Sequence, residues 1–312
     1  MKFDTKMERV KSIFRLARFH FLIPGFMLYV MGYLLALLGG VDWDFGKFVF
    51  GYLIFGTAHL SVSFSNDYFD RKADRNSVKT VFSGGSKVLV THPEFEPLAL
   101  KTAVFLLLVS VVANFFFTFI YAYSFWFFIF GLAGGLLGWF YSSPPLELAY
   151  RGLGELATIM AVGLLMPGMG YFVASGTIGP LFQAFILPLG CYGLFFIITV
   201  ELPDFESDTL SHKSNFLVKW GLNAGRNICV AATIMGTIFM ITLLFSGTTE
   251  ILDIGSFVLF SLIPLIASFM GLLINIHDRK VLVRQVMINM ASMILFLVLI
   301  NVTLFLNYTL TV

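Results

Sequence analysis

Long apolar segments, separated by short polar ones, follow one another along most of the chain. Each is close to the roughly 20 residues that a helix needs to cross a bilayer. We distinguish nine of them, at about residues 22–40, 47–65, 99–118, 123–141, 154–175, 179–200, 227–246, 254–274 and 286–307. The pattern predicts an all-α fold, an integral membrane bundle of about nine transmembrane helices that forms a single domain over residues 1–312.

The composition agrees with this prediction. Hydrophobic residues make up 58% of the 312 residues and charged residues only 12%, which exceeds what a soluble domain can carry on its surface. No small-residue cleavage site follows the first apolar segment, so we interpret it as a retained helix and not as a signal peptide. Cys191 and Cys229 fall within or beside predicted spans, which excludes a disulfide framework and a CxxC metal site.

The basic residues are distributed unevenly over the two sides of the predicted bundle. Of the 20 Lys and Arg residues, 19 fall on one side, and Lys47 alone falls on the other. Because cytoplasmic loops carry the excess of Lys and Arg, we expect a cytoplasmic N-terminus and an external C-terminus in a multi-pass protein of the plasma membrane. This topology explains the basic residues, so the net charge of +2 gives no indication of a nucleic-acid partner.

An amphipathic pattern precedes the first span. Its apolar positions recur at spacings of three and four residues, at Met7, Val10, Phe14, Ala17 and Phe21. Basic residues lie off that stripe, and a helix with these two faces lies in the plane of the membrane interface. We therefore predict a cytoplasmic interfacial helix over residues 1–21, in contact with the lipid bilayer.

Polar residues that can bind a metal follow the second apolar segment directly. If the helix continues, Asn66, Asp70 and Asp74 lie on one face at i, i+4 and i+8. Carboxylates this close raise one another's pKa unless a cation lies between them, and hard oxygen ligands suit Mg²⁺ or Ca²⁺. Taken alone, the block is equally compatible with a helix end that is solvated by its own basic side chains.

A second acidic block favours the metal-binding interpretation. Asp204 and Asp208 follow the sixth apolar segment, 134 residues after Asp70 and Asp74. Two facing acidic pairs would hold two or more divalent ions, as a diphosphate needs when its charge is neutralised on leaving. The same offset aligns the first four spans with the next four and leaves one helix over. We predict that residues 66–98 and 201–226 form the cytoplasmic catalytic loops.

The polar loop at residues 75–97 lies beside the first acidic block and contains two adjacent glycines, Gly84 and Gly85. Glycines permit a tight turn whose N–H groups face an anion, and a loop of this length beside a charged site is often a lid. Lys79 in this loop is equally compatible with a phosphate contact and with solvation. Lys213, after the second block, would pair with a carboxylate or with a ligand phosphate.

These residues resemble the UbiA superfamily of intramembrane prenyltransferases, and the resemblance covers nearly the whole chain. The stretch from Asn66 to Asp74 is similar to the NDxxDxxxD signature of that family, and the stretch from Asp204 to Asp208 is similar to its second DxxxD block. The Tyr-Ser-Ser-Pro-Pro turn at 141–145 and the Gly-Glu pair at 154–155 are also similar to family members. The resemblance implies nine helices around a central cavity, with both motifs on cytoplasmic loops.

The resemblance also implies an activity, which is Mg²⁺-dependent transfer of a polyprenyl group from polyprenyl diphosphate to a membrane-accessible acceptor. The implied metal ligands are Asn66, Asp70, Asp74, Asp204 and Asp208, and the four aspartates among them are the implied catalytic residues. The implied diphosphate-binding residues are Lys79, Lys213, Arg151 and Tyr141.

The acceptor is indicated by the form of the motifs. The Asn-Asp-Tyr-Phe-Asp sequence at 66–70 and the Phe-Ser-Gly-Gly-Ser sequence at 82–86 look most like the branch that prenylates 1,4-dihydroxy-2-naphthoate for menaquinone, which implies an aromatic quinone precursor. Glu201 stands where that branch often carries Asn, so archaeal-type transfer of geranylgeranyl to geranylgeranylglyceryl phosphate stays an alternative. A remote alternative is a secondary transporter, but transporters place charged residues near the bilayer midplane, and here nearly all carboxylates lie at span ends.

Overall fold

The computed structural model describes residues 6–311 and the side chains of residues 10–310. All regular structure in these residues is helical, as predicted. The helices are α1 (Lys6–Ala17), α2 (Leu22–Leu38), α3 (Phe45–Phe69), α4 (Arg71–Asn76), α5 (Val88–Thr91), α6 (Glu96–Ile120), α7 (Phe125–Ser142), α8 (Gly154–Met160), α9 (Met166–Ser175), α10 (Pro180–Glu201), α11 (Phe205–Leu210), α12 (Phe216–Leu243), α13 (Ile254–Met270) and α14 (Arg279–Thr311). A π-helical turn, Ala161–Leu165, joins α8 to α9, and short 3-10 turns occur at Phe19–Phe21, Pro93–Phe95, Leu202–Asp204 and Gly247–Thr249.

Among the described residues, eight helical segments are long and apolar enough to cross a membrane, which confirms the predicted membrane bundle. The exception among the predicted spans is α13, an apolar helix of 17 residues. At 1.5 Å per residue it is about 25 Å long, somewhat less than the ~30 Å hydrocarbon core of a bilayer. A ninth crossing at α13 and the cytoplasmic position of the N-terminus stay predictions.

Two helices begin earlier than the apolar pattern predicts. The helix α12 begins at Phe216 and not near residue 227, and α14 begins at Arg279 and not near residue 286. The side chain of Asn215 accepts a hydrogen bond from the N–H of Val218 at 2.9 Å, so α12 has a polar cap outside its apolar part. Charged residues interrupt the apolar pattern in these first turns, at Lys219 and Arg226 in α12 and at Arg279, Lys280 and Arg284 in α14, so hydropathy misses them. The helix α12 is also kinked at Gly221, where φ is 81°.

The N-terminal helix packs on the bundle. The predicted interfacial segment appears as α1 and the turn Phe19–Phe21, while residues 1–5 lie outside the described residues. Phe14 is 60% exposed, whereas Leu16 and Ala17 are buried in a small apolar cluster with Phe64 of α3 and Leu89 of α5. The helix α1 thus has one exposed apolar side, and its other side contacts α3 and α5, which flank the first acidic block.

The offset of 134 residues recurs in the structure. The first aspartate of each pair follows a long helix, α3 or α10, and the second lies in the short helix that comes next, α4 or α11. The bounds of these two short helices are related by that same offset. The two halves then diverge, because residues 77–95 connect α4 to α6 but only residues 211–215 connect α11 to α12. The first half therefore contains an additional polar segment next to its acidic pair.

The first spans of the two halves, α2 and α9, cross with their backbones in contact. A Cβ atom built on Gly32 would lie 1.7 Å from the carbonyl oxygen of Pro167, and one built on Gly170 would lie 1.9 Å from the carbonyl oxygen of Tyr29. No side chain larger than hydrogen fits at either position without separating the helices. This crossing fixes the distance between the halves that carry the two acidic pairs.

We expect Gly170→Ala to destabilise the bundle, because the added methyl group would displace the backbone of α2. Overpacking of this kind costs about 1–3 kcal/mol or more, which should appear as a lower unfolding temperature in detergent. Gly255→Ala in α13 is the matched control, since its Cβ would meet only the Asp253 carboxylate, at 3.5 Å. Equal unfolding temperatures for the two variants would contradict the close crossing.

Candidate active site

A cavity of about 370 Å³ lies between the spans and reaches the bundle end at which α3 and α10 stop. Its polar end is lined by residues from both acidic blocks and from the segments beside them, namely Asn66, Asp67, Asp70, Asp74, Tyr141, Glu201, Asp204, Asp208 and Lys213. Its remaining wall is mainly apolar, with residues such as Leu28, Ile54, Phe130, Leu165, Met169 and Phe196. Both acidic blocks therefore line one cavity, whose volume is within the range of small-molecule sites.

The first acidic pair keeps the helical register that the sequence predicts. Although α3 ends at Phe69, the N–H of Asp70 donates to the carbonyl of Asn66, and the N–H of Asp74 donates to the carbonyl of Asp70, both at 2.8 Å. Helical hydrogen bonding thus continues through the junction with α4. Asn66, Asp70 and Asp74 consequently lie on one side of the chain, toward the cavity.

Two hydroxyl groups hold the carboxylate of Asp70. Ser142 donates to its Oδ2 at 2.8 Å, and Tyr150 donates to its Oδ1 at 2.7 Å. Burial raises the pKa of the Tyr150 phenol, and the nearby Asp70 carboxylate raises it further, so Tyr150 remains a donor. Neither contact was predicted. The Tyr-Ser-Ser-Pro-Pro turn was a signal for Ser142, whereas no pattern in the sequence singles out Tyr150.

Lys213 is the cation of the second acidic pair. Its Nζ lies 3.0 Å from Asp208 Oδ1, and Asn215 donates to Asp208 Oδ2 at 2.8 Å. Burial lowers the pKa of Lys213, but the carboxylates of Asp70 and Asp208 outweigh that effect and bring the pKa well above its usual value. The ammonium group is therefore charged at the polar end of the cavity, where Tyr141 also lies.

The structure does not bring the other two predicted diphosphate-binding residues to the cavity. Lys79 donates to the carbonyl of Ser86 at 2.9 Å and lines a neighbouring hollow that it shares with Arg15 and Arg18. The Arg151 side chain is 59% exposed and lies 3.6 Å from Glu147, its i−4 neighbour. Local partners thus hold both cations outside the cavity, and each would have to move to contact an anion there.

The loop at residues 77–87 touches both acidic blocks. The N–H of Gly84 donates to Asp204 Oδ2 at 3.2 Å, and the N–H of Ser86 donates to Asp67 Oδ1 at 3.2 Å. Gly85 has a φ of 63°, and a Cβ at this position would lie 2.0 Å from Asp74 Oδ2. The anions that these N–H groups face are therefore carboxylates of the protein itself, and the loop joins the two halves over the cavity.

Two further cations anchor this loop, and neither was predicted. The ammonium of Lys87 donates to the carbonyl of Asp74 and, at 2.6 Å, to the carbonyl of Ser77. Arg279, the first residue of α14, donates to the carbonyl of Pro203 at 3.3 Å and to the carbonyl of Val78 at 3.4 Å. Arg279 thus links the loop after the first acidic pair to the turn that carries the second.

The oxygen atoms at the polar end fit a hard cation. Asn66 Oδ1 and Asp204 Oδ1 are buried and have no hydrogen-bond partner among the described residues. Burial raises the pKa of Asp74 to about 7, and repulsion from Asp70 and Asp67 contributes, while Lys213 and Lys87 oppose the shift. A bound cation would offset this burial and repulsion, because it stabilises the charged form of the carboxyl groups.

The arrangement does not supply a complete metal site by itself. Within residues 6–311, no group of three or more His, Cys, Asp or Glu side chains is close enough to hold one ion. Mg²⁺ is usually bound through one or two carboxylates, several waters and substrate phosphates. The residues present therefore fit a metal whose coordination is completed by phosphate oxygens, with each acidic pair contributing a part.

Comparison with known proteins relates the chain to one family. The model of the UbiA prenyltransferase family matches residues 25–293. The 1,4-dihydroxy-2-naphthoate octaprenyltransferase of Bacillus subtilis (strain 168) is 22% identical over 238 residues, which cover 76% of this chain and 75% of that protein.

Solved structures share the fold. A UbiA homologue from Archaeoglobus fulgidus, bound to GPP and Mg²⁺, has a TM-score of 0.63 and 16% identity over 93% of this chain and 99% of that chain. A structure of digeranylgeranylglyceryl phosphate synthase has a TM-score of 0.64 and 16% identity, and the match covers 95% of this chain and 99% of that chain. At these identities, the likeness shows the fold alone.

We expect Arg279→Gln to loosen the loop over the cavity, because the neutral side chain loses the charge-assisted hydrogen bonds to Val78 and Pro203. A loss of about 1 kcal/mol corresponds to roughly fivefold faster hydrogen exchange, which mass spectrometry should detect in residues 77–87. Arg284→Gln, an exposed position on the same helix, is the matched control. Equal exchange in the two variants would show that Arg279 does not hold the loop.

Proposed function

Since the chain belongs to the UbiA prenyltransferase family and is a prenyltransferase, we propose that it transfers a polyprenyl group from polyprenyl diphosphate to an aromatic quinone precursor, with Mg²⁺ as its cofactor. The observation that carries this proposal is the division of one cavity into an ionic end and an apolar body. A ligand that fits both parts has an anionic head that requires cations and a long apolar tail. A polyprenyl diphosphate has this chemistry.

We assign the diphosphate to the ionic end. The proposed metal ligands are Asn66, Asp70, Asp74, Asp204 and Asp208. Bound Mg²⁺ would neutralise the charge that develops on the departing diphosphate. The ammonium of Lys213 would contact the same group, because it lies at the polar end of the cavity. Its Nζ is 3.0 Å from Asp208 Oδ1 and 5.4 Å from the centre of the Tyr150 ring.

The apolar part of the cavity suits the other product of this bond cleavage, an allylic cation. Aromatic residues such as Phe55, Phe130 and Phe196 line the wall, and ring faces stabilise cations. The same wall excludes water, which would otherwise capture the cation before the acceptor does. In this proposal the apolar part of the cavity orients the prenyl chain and excludes water, and the polar end stabilises charge.

Two observations support an aromatic acceptor, namely the activity of a related protein and the sequences of the motifs at residues 66–70 and 82–86. The relative from Bacillus subtilis is an octaprenyltransferase that acts on 1,4-dihydroxy-2-naphthoate. The solved synthase related to the archaeal alternative, geranylgeranylglyceryl phosphate, shares the fold at 16% identity, and such a likeness carries no substrate information. We therefore favour the quinone precursor, and family membership leaves the transporter alternative without support.

We also propose that the ionic end of the cavity faces the cytoplasm in the plasma membrane. The distribution of Lys and Arg over the predicted spans supports this orientation, because 19 of 20 fall on the side of the acidic blocks.

Incubation of purified protein with labelled geranylgeranyl diphosphate and Mg²⁺ tests the proposal. The acceptor panel contains 1,4-dihydroxy-2-naphthoate, 4-hydroxybenzoate and geranylgeranylglyceryl phosphate. We expect a prenylated aromatic product, whose formation stops when EDTA removes the metal. Transfer to geranylgeranylglyceryl phosphate alone would overturn the aromatic assignment.

Asp70→Asn and Asp204→Asn should each abolish transfer to every acceptor in the panel. Each substitution removes charge with little change in volume, and loss of a principal metal ligand costs several kcal/mol in the transition state, or roughly a thousandfold or more in rate. Binding of the prenyl chain should survive, because the apolar wall is unchanged. The measurements are product formation and binding of labelled geranylgeranyl diphosphate.

Asp42→Asn is the matched control for both variants. Asp42 is exposed and lies between α2 and α3, at the opposite end of the bundle from the cavity. The control should retain the rate of the unmodified protein. If Asp70→Asn or Asp204→Asn does so as well, the carboxylate concerned has a structural role and is not a metal ligand.

The loop at residues 77–87 should act as a lid. We expect its hydrogen exchange to slow when geranylgeranyl thiodiphosphate and Mg²⁺ are added together, since the ligand would bridge the two acidic blocks that the loop already touches. Gly85→Ala should reduce this slowing, because its methyl group would collide with Asp74. Unchanged exchange at saturating ligand in the unmodified protein would show that the loop is passive.

A further inference from the structure

We propose that Glu201 accepts the proton that the acceptor loses on prenylation. The proposal rests on the proposed function and adds to it a role for a carboxyl group that belongs to neither acidic pair. It also narrows the acceptor to molecules that give up a proton at the atom that becomes prenylated.

Glu201 is placed to meet the acceptor. It is the last residue of α10, and it lines the cavity three residues before Asp204. Its Oε2 is buried and has no hydrogen-bond partner among the described residues. A buried polar atom without a partner is costly unless a ligand or a proton satisfies it. The cavity wall at Glu201 therefore has an unused acceptor of hydrogen bonds.

Glu155 supplies the second carboxyl group. Its side chain is fully buried at the start of α8, and its Oε1 accepts a hydrogen bond from the N–H of Phe216, the first residue of α12. Its Oε2 has no hydrogen-bond partner among the described residues. Glu155 lies near enough to Glu201 for its charge to act on that carboxyl group.

The two glutamates approach because α10 packs closely on α8 and on the π-helical turn that follows it. A Cβ atom built on Gly163 would lie 2.8 Å from the Cα of Gly190, and one built on Gly193 would lie 3.2 Å from the Cα of Ile159. Direct backbone contact along this crossing leaves Glu155 and Glu201 at the polar ends of the same helix pair. π-helical turns are frequent at functional sites.

Each of the other carboxyl groups at the polar end accepts a hydrogen bond or belongs to an acidic pair. Asp70 accepts from Ser142 and Tyr150, and Asp208 is bound by Lys213 and Asn215. In the proposed function, these carboxylates are neutralised by metal and would be poor bases. The charged groups that also act on Glu201 are Asp204, Asp208 and Lys213. Glu201 belongs to neither proposed metal-binding pair, so metal would not neutralise its carboxylate, as a proton acceptor requires.

The reaction balances with this role. The C–O bond of the prenyl diphosphate breaks, and its electron pair leaves with the diphosphate. The allylic cation then bonds to a nucleophilic carbon or oxygen of the acceptor, and the C–H or O–H bond at that atom breaks. The bonding electrons stay on the acceptor, and the proton passes to the Glu201 carboxylate. An acceptor that lost carbon dioxide from the bonded carbon would release no proton there, so this role of Glu201 requires prenylation at a C–H or O–H position.

Glu201→Gln tests the proposal by separating bond cleavage from proton transfer. Cleavage is followed as exchange of ¹⁸O between the bridging and non-bridging oxygens of labelled geranylgeranyl diphosphate. Transfer is followed with whichever acceptor of the panel the unmodified protein uses. Because general bases contribute about 10²–10⁴-fold, we expect transfer to fall at least about a hundredfold while isotope exchange continues or increases.

Three further variants keep the test decisive. Glu155→Gln should lower transfer less than Glu201→Gln, because its amide oxygen still accepts from the N–H of Phe216. Glu201→Asp should recover part of the transfer. Glu206→Gln, at an exposed position close in sequence, should behave like the unmodified protein. Unfolding temperatures within a few degrees of the unmodified protein establish that the variants are folded.

Two results would overturn the proposal while the proposed function stands. One is transfer by Glu201→Gln within about threefold of the unmodified protein. The other is loss of isotope exchange together with transfer in a folded Glu201→Gln variant, which would assign Glu201 to diphosphate departure. Absence of transfer by the unmodified protein to every acceptor is a different outcome, since it would overturn the proposed function itself.

Discussion

The structure depends on how six carboxyl groups are accommodated at one end of a cavity inside an apolar bundle. They belong to Asp67, Asp70, Asp74, Glu201, Asp204 and Asp208. Buried carboxylates repel one another, and desolvation penalises each charge. The protein offsets part of this penalty with donors that approach from four different segments, such as Tyr150 on Asp70, Lys213 on Asp208 and the Gly84 N–H on Asp204. The remaining excess of negative charge requires protons or cations, and this requirement is the physical basis of the proposed phosphate-and-metal site.

The two halves of the bundle contribute unequally to covering the acidic pairs. Their acidic pairs occupy equivalent junctions, between α3 and α4 and between α10 and α11, but the additional segment at residues 77–95 exists in the first half alone. That segment crosses to the second half, where Gly84 meets Asp204 and Arg279 holds both sides. An approximate repeat thus becomes one site because a single loop of the first half covers both acidic pairs.

The polar end has two chemical environments. The acidic pairs, with Lys213, form a charged region that suits a diphosphate and its metal ions. Glu201 and Glu155 lie beside it and have carboxyl oxygens without partners among the described residues. Charge stabilisation of a leaving group and removal of a proton from an acceptor require different basicities, because a metal-bound carboxylate is a weak base. Separation of the two groups would allow both proposed steps to occur in one cavity without water.

The sequence by itself determined the features that depend on local pattern. Hydropathy located the spans to within a few residues at most ends, and the spacing of Asp70, Asp74, Asp204 and Asp208 identified two equivalent acidic pairs that line one cavity. Helical periodicity acts over a few residues, so such features can be predicted from neighbours in the chain.

Only the tertiary structure decided which partners these residues have. Tyr150 reaches Asp70 across 80 positions, and Arg279 reaches Val78 across 201 positions. Lys79 and Arg151, chosen by their place in the sequence, lie outside the cavity because nearer groups bind them. Glu155 and Glu201 come together through the close crossing of α8 and α10. Such contacts depend on helix packing and loop path, and packing between distant segments leaves no periodic signal in the sequence.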